Sequence, residues 1–399
     1  MFFSLKKKLF ILPFVIFFSL TKMMAQQILP AAYQTENYLP LLKNKTVGVF
    51  ANPTSEINGT PLVDSLLSLG TRVVCAFGPE HGFRGDEDAG AKVGNEIDKK
   101  TGIKIISLYG KKTKPSEEDV KNVDVLLFDL QDVGVRFYTY IASLQHFMEA
   151  AIDLHKPLII LDRPNPNGFY IDGPILDRKY ASGVGEQPIP VVYGMTIGEY
   201  AKMLIGEHWL NTKTKYDAKS VDIKIIPCKN YTHESRYMLP VKPSPNLPFM
   251  SSVYKYPSMC FFEGTVLSEG RGTEFPFEIF GHPSLDKSLF SFTPEPRKGA
   301  ESSKFYGQVC YGWNIHDSVF CSHLVLKYLL QAYKAFPDKQ HFFISQGNEP
   351  TKIFFNKLAG SDELMKQIIA GRTEAQIRRS WRKPLKKFMQ IRKKYLLYP

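Results

Sequence analysis

The block Gly78-Pro79-Glu80-His81-Gly82 sets a carboxyl beside an imidazole, between glycines that let a ligand approach the backbone. Pro79 biases the residue before it toward extended backbone, so Glu80 is expected at a strand end. A carboxyl desolvated there has a raised pKa and can act as a general acid; pairing with Arg84 or capping a helix is the competing structural role. A second group runs from Asp129 to Tyr140. Arg136 offers a fork of donors that matches two oxygens of a carboxylate or phosphate, and Tyr138 a ring for a sugar face. Asp129 serves there either as a carboxylate for chemistry or as a loop-ordering group. The third is Ser268-Glu269-Gly270-Arg271-Gly272-Thr273, preceded by Ser244-Pro245-Asn246. Its glycines let Glu269 and Arg271 face a cleft, with a plain ion pair as the alternative.

Common catalytic signatures are missing: no GxSxG elbow, no HExxH and no Walker A loop. His81 with Asp86, Glu87 and Asp88 fits no common ligand spacing. The expectation is therefore carboxylate chemistry with no metal and no cofactor.

These groups need a scaffold that gathers them. Continuous apolar runs at Val47–Asn52, Arg72–Phe77, Lys104–Tyr109, Val125–Leu130 and Leu158–Asp162 read as buried strands. Helical stretches at Leu62–Leu69, Ser116–Asn122 and Tyr140–His155 alternate with them. The alternation predicts an α/β fold with a mostly parallel sheet, helices on both faces, and ligands beyond the carboxyl ends of the strands. Four of the strand-following segments carry polar tips: Asn52-Pro53-Thr54, the Glu80 block, Asp129 to Arg136 with Asp132, and Asp162-Arg163-Pro164-Asn165.

The second half is less regular. Thr196–Leu210 reads as a helix and Asp222–Ile226 as a strand. Pro240 to Gly281, rich in Pro, Gly and Ser, reads as a long functional loop holding Asn246, Glu263, Glu269, Arg271, Glu274 and Glu278. Helices are expected from Ser322 to Tyr398. The division expected is residues 26–178 for a first α/β domain and 179–399 for a second, α/β or α+β, with a helical C-terminus.

Lys6, Lys7 and Lys8, the apolar run Leu9–Leu20 and Ala25 before Gln26 read as an export signal over residues 1–25. The run is too short for a stable span. The mature chain is expected to be periplasmic or extracellular, without stable membrane insertion. The net charge of +12 gathers near the C-terminus, and export makes nucleic acid an unsuitable partner. Five scattered cysteines without CxxC spacing read as small buried residues.

The blocks from Gly78 to Gly85 and from Phe128 to Tyr140 resemble the exo-β-N-acetylmuramidases, glycoside hydrolases long held as a domain of unknown function. Leu161 to Pro166, Pro243 to Pro248, Glu263-Gly264-Thr265, Glu269 to Thr273 and Tyr395-Leu396-Leu397-Tyr398 match as well, so the resemblance covers nearly all of the mature chain. Phe169 departs where another glycine is expected, which bears on local loop shape. The resemblance implies a Rossmann-like domain joined to a second α/β domain with the cleft between them. It implies release of N-acetylmuramic acid from the non-reducing end of peptidoglycan-derived muramyl saccharides, with Glu80 as the catalytic glutamate. The second carboxylate is expected to be Glu269 or Asp129. Substrate contacts are expected from His81, Arg84, Asp132, Arg136, Tyr138, Asp162, Arg163, Asn165, Asn246 and Arg271, with Arg136, Arg163 or Arg271 on the lactyl carboxylate. A non-catalytic wall-binding module and a metal-dependent amidase or deacetylase are the alternatives.

Overall fold

The computed structural model describes residues 26–79, 82–84, 96–319, 322–345, 347 and 349–399. The export segment, Glu80, His81 and the acidic run 86–88 lie outside those residues.

Seven strands form the main sheet: β1 (Thr46–Ala51), β4 (Arg72–Gly78), β5 (Glu96–Ile97), β6 (Lys104–Ser107), β7 (Val125–Asp129), β8 (Leu158–Leu161) and β9 (Ile223–Ile226). A two-residue ribbon, β2 (Glu56–Ile57) with β3 (Thr60–Pro61), stands beside it. The order is β5-β6-β4-β1-β7-β8-β9, parallel except for the edge strand β5. Leaving β5 aside, chain order reverses at β1 as in doubly wound nucleotide-binding sheets, so a crevice is expected beyond the carboxyl ends there.

Alternate residues of each strand supply two cores. Phe50, Phe77, Leu126, Phe128 and Ile160 face α4 (Tyr140–Asp153) and α5 (Ile197–Gly206). Val49, Ala76, Val125, Leu127 and Ile159 face α1 (Thr35–Leu42) and α2 (Leu62–Ser68). Every residue of β7 and β8 is buried, which is why these strands read as unbroken apolar runs. The short helix α3 (Glu117–Val120) begins at Ser116, whose hydroxyl and N–H both bond Asp119.

The sheet continues past residue 178, because the parallel neighbour of β8 is β9. Beyond it, the segment expected as a loop contains α6 (Met250–Met259), followed by a 3-10 turn at Cys260–Gly264. Its Ser and Pro content hid it: Ser252 turns its hydroxyl back on the Phe249 N–H, and Pro257 sits only in the last turn. A small antiparallel sheet follows, β10 (Ile279–His282), β11 (Phe290–Phe292) and β12 (Cys310–Asn314), in the order β10-β12-β11. Helices α7 (Lys327–Ala335), α8 (Phe354–Ala359), α9 (Glu363–Ile369) and α10 (Glu374–Arg392) close the chain. Ile377, Trp381 and Phe388 bury one stripe of α10, while Arg379, Arg382, Lys383, Lys386 and Lys387 lie on its exposed face.

The last residues return to the main sheet. Tyr398 donates its hydroxyl to Asp162 at 2.5 Å and accepts the Cys228 N–H at 2.8 Å. Nearby, Leu397 N–H donates to Glu199, and His233 N–H to the Pro399 carbonyl. Cys75, Cys228, Cys260 and Cys310 are buried and unbridged. No helix among the described residues is long and apolar enough to cross a membrane.

Candidate active site

At the carboxyl edge of the sheet the strand tips are bonded to one another. Arg163, after β8, grips Asp129, at the end of β7, through Nε at 2.6 Å and Nη2 at 2.7 Å, and both side chains are buried. Burial pushes the Asp129 carboxyl up, opposed by the Arg163 charge, while Asp129 keeps the guanidinium protonated. Asn52, after β1, donates to the Tyr140 hydroxyl at 2.7 Å, and the Gln131 N–H to Thr54 Oγ1 at 3.1 Å. Asn165 donates to the Met195 carbonyl and orders the Asn167 N–H, while Asn167 bonds the Val133 carbonyl. Gly134 is needed in this weave: its φ is +76°, and a Cβ there would lie 2.1 Å from Asn165 Oδ1.

Four further residues expected to touch substrate take structural positions. Arg136 donates to three backbone carbonyls, Pro174 (2.9 Å), Ile189 (2.7 Å) and Leu358 (2.7 Å), and burial lowers its pKa to about 9. It joins the loop after β7 to α8. Asp132 accepts from Tyr193 and Gly134, and burial raises it to about 6. Asp162 accepts from Thr196, Gly198, Arg163 N–H and Tyr398; burial raises it to about 7. Arg84 is shared between Asp98 (Nε 3.0 Å, Nη2 2.7 Å) and Asp64 (3.2 and 3.3 Å), clamping the chain just after the Glu80 block.

The strand tips border a cavity of about 340 Å³, lined by Tyr109 beyond β6, Phe137 to Tyr140 beyond β7, Gly183 and Val184, and residues of the second half. Those are Ser244, Asn246, Leu247, Tyr256, Glu263, Arg271 and Phe277. Tyr138 and Asn246, both expected here, are fixed by their bonds: the Tyr138 hydroxyl to the Pro243 carbonyl (2.6 Å), and Asn246 to the Gly299 carbonyl (2.7 Å). Gly78 of β4 is in register with Ser107 of β6, two residues before Tyr109. The described flank of the Glu80 block therefore reaches the same edge as the cavity wall. A second cavity, about 370 Å³, lies between the last turn of α4 and the start of β9, lined by His155, Lys156, Lys215 and Tyr216 among others. It faces the amino ends of the strands, the edge opposite to that used for ligands in such sheets.

The two candidate second carboxylates are both buried ion-pair members. Glu269 accepts Lys304 Nζ at 3.0 Å and lies 3.5 Å from Arg271 Nε. Burial works against its charge, yet Lys304 and Arg271 hold its pKa below the usual range, so it carries no proton to give near neutrality. Neither Glu269 nor Asp129 lines the cavity; Glu263 does. Glu263, in the matching block Glu263-Gly264-Thr265, has no role expected from sequence. Nor does sequence mark Tyr109, Tyr256 and Phe277, because an aromatic at a strand or helix end is ordinarily core.

A family model described as Exo-beta-N-acetylmuramidase NamZ, N-terminal, matches residues 47–251, and its C-terminal counterpart matches residues 254–398. The peptidoglycan beta-N-acetylmuramidase NamZ of Bacillus subtilis (strain 168) is 39% identical over 391 residues, covering 91% of this chain and 89% of that protein. Two crystal structures of DUF1343 family proteins from Bacteroides fragilis NCTC 9343 share the fold. One has a TM-score of 0.82 at 43% identity, the other 0.80 at 27%, and each alignment covers 93% of this chain and 99% of the other.

Proposed function

Because this chain belongs to the exo-beta-N-acetylmuramidase NamZ family, we propose that it hydrolyses the β-glycosidic bond of a terminal N-acetylmuramic acid on peptidoglycan-derived fragments. The observation that carries this reading is the pair of family models, which together span nearly all of the described chain and meet between residues 251 and 254. The cavity supports it: at about 340 Å³ it falls at the small end of ligand pockets, suited to one terminal sugar. Tyrosines 109, 138, 140 and 256 on its walls suit the apolar faces of a sugar ring.

In this reading Glu80 gives its proton to the glycosidic oxygen as the C1–O bond breaks, and water completes hydrolysis at C1. Glu80 is supported by its place in the matched Gly78 to Gly85 block, by the β4–β6 register that brings Gly78 to the cavity edge, and by the Arg84 clamp behind the block. Glu269 and Asp129, held in buried ion pairs off the cavity, are not set to act as a second carboxylate. Should the substrate's acetamido oxygen attack C1 instead, no enzymatic nucleophile is needed. Export by the segment 1–25 belongs to the same proposal; mature protein from a secreting host should begin at Gln26 by mass spectrometry.

The test is release from a chromogenic aryl β-N-acetylmuramide by wild type and Glu80→Gln. The variant should unfold at the wild-type temperature and lose about 10²–10⁴-fold in turnover. Unimpaired turnover by Glu80→Gln would sink the assignment. Activity should also survive a chelator; its loss would favour a metal-dependent amidase or deacetylase. Binding of muramyl fragments without any product would favour the wall-binding module.

A further inference from the structure

Arg271 is the sole guanidinium on the described lining of the cavity, and its setting is built to aim it. Glu263 Oε1 accepts from Arg271 Nη2 at 2.5 Å and from Nε at 3.1 Å. Glu269 stands 3.5 Å from the same Nε, and the guanidinium lies 5.0 Å from the Phe277 ring centre. Glu269 is itself tied to Lys304, whose ammonium also bonds the Phe262, Thr265 and Leu267 carbonyls at 2.9 Å. The loop carrying both acids is thereby nailed down. Gly270, at φ +82°, lets the chain turn so that Glu269 points into protein while Arg271 reaches the cavity.

Both oxygens of Glu263 are engaged, Oε1 by Arg271 and Oε2 by the Cys260 thiol at 3.4 Å. The bonds to Arg271 all fall on its Nε and Nη2, and no described acceptor takes Nη1. Burial works against the guanidinium charge, but Glu263 and Glu269 keep it fully protonated. About a quarter of the side chain (26%) is exposed, so the fork is held on one edge and open on the other. Arg136 and Arg163, the other arginines considered for this task, are buried off the cavity and donate to internal carbonyls and to Asp129.

Resting on the muramidase reading above, we propose that Arg271 recognises the lactyl carboxylate that distinguishes N-acetylmuramic acid from N-acetylglucosamine. Glu263 is its positioning residue, fixing the rotation of the guanidinium so that the Nη1 edge meets the anion. The choice of sugar is then made by one preorganised cation, and loosening its support costs selectivity before it costs chemistry.

The experiment compares three aryl glycosides: the muramide, its lactyl methyl ester, and the glucosaminide. Wild type should prefer the free acid over the ester by roughly 10- to 100-fold in kcat/KM, the range of one charge-assisted bidentate contact. Arg271→Gln should erase that preference by losing rate on the acid while keeping rate on the ester. Arg271→Lys should retain part of it, since an ammonium keeps charge without the fork. Glu263→Gln should reduce it mainly through KM, with kcat and thermal unfolding near wild type. Equal losses on acid and ester in the Arg271 variants would overturn the proposal, as would an undiminished preference for the acid. Where Arg271→Gln fails to fold, Arg271→Lys and Glu263→Gln decide by the same ratio. Loss of all three activities in wild type would instead fell the muramidase reading itself, and a silent Glu80→Gln beside a selective wild type would leave it standing.

Discussion

Asp129→Asn removes one charge from the buried pair at the centre of the strand tips. Arg163 holds Asp129 through two bonds of 2.6 and 2.7 Å, and neither side chain is exposed to water. The substitution leaves a guanidinium buried without its counter-charge, a loss of about 3–5 kcal/mol for a broken buried pair. Domain stabilities run to about 5–15 kcal/mol, so the variant should remain folded at 25 °C with a thin margin. Two measurements are needed on one sample: the urea midpoint by tryptophan fluorescence, and turnover of the aryl muramide per folded molecule. The expected result is a large drop in midpoint with turnover within about threefold of wild type. Replacing both partners by apolar residues of similar volume, Asp129→Leu with Arg163→Met, should recover most of the lost stability. The reverse outcome, stability within about 1 kcal/mol of wild type with turnover lost a hundredfold, would refute the reasoning and return Asp129 to the chemistry.

Two other consequences are open to direct measurement. Burial raises Asp132 to about 6 and Asp162 to about 7, above their unfolded value of ~3.9, so each binds its proton more tightly when folded. Their contribution is complete below that unfolded value and is lost as pH rises through the folded one. Stability should therefore fall from pH 4 toward 7, by up to ~1.4 kcal/mol per unit for each group, and Asp132→Asn should flatten the part below about 6. A urea midpoint that rises or stays level over that range in wild type would contradict this. Asp98, held down at about 2 by Arg84, acts only in more acid solution. Tyr398→Phe deprives Asp162 of a donor and the Cys228 N–H of an acceptor, and should cost about 1–3 kcal/mol with kcat unchanged. An unaltered unfolding temperature would show that the tail bonds are idle.

The sheet was legible because its strands are buried on both faces, so Val125 to Asp129 and Leu158 to Leu161 could be read as continuous apolar runs. Helix α6 was not, since Ser251, Ser252 and Pro257 carry turn signals that packing overrides. Polar residues at the tips were recognised as important, but sequence does not say whether a side chain faces a ligand or a neighbouring loop. Arg136, Asp132, Asp162, Arg163 and Asn165 face loops; Tyr138, Asn246 and Arg271 reach the cavity. Glu263 and Glu269 illustrate the limit best. They lie six positions apart, yet Lys304, far along the chain, neutralises one and leaves the other at the cavity wall.

The bond between Tyr398 and Asp162 spans 236 positions of sequence. A chain that emerges amino end first presents its whole parallel sheet long before that tyrosine arrives. Until then Asp162 and Glu199 hold only their other partners, Thr196 among them, and the Cys228 N–H lacks its acceptor. The bonds that tie the tail to the main sheet therefore form as a late, long-range closure, worth a few kcal/mol rather than the whole fold. Trimming the last two residues by a carboxypeptidase would remove Tyr398, and with it a donor to Asp162, the neighbour of Arg163 in sequence.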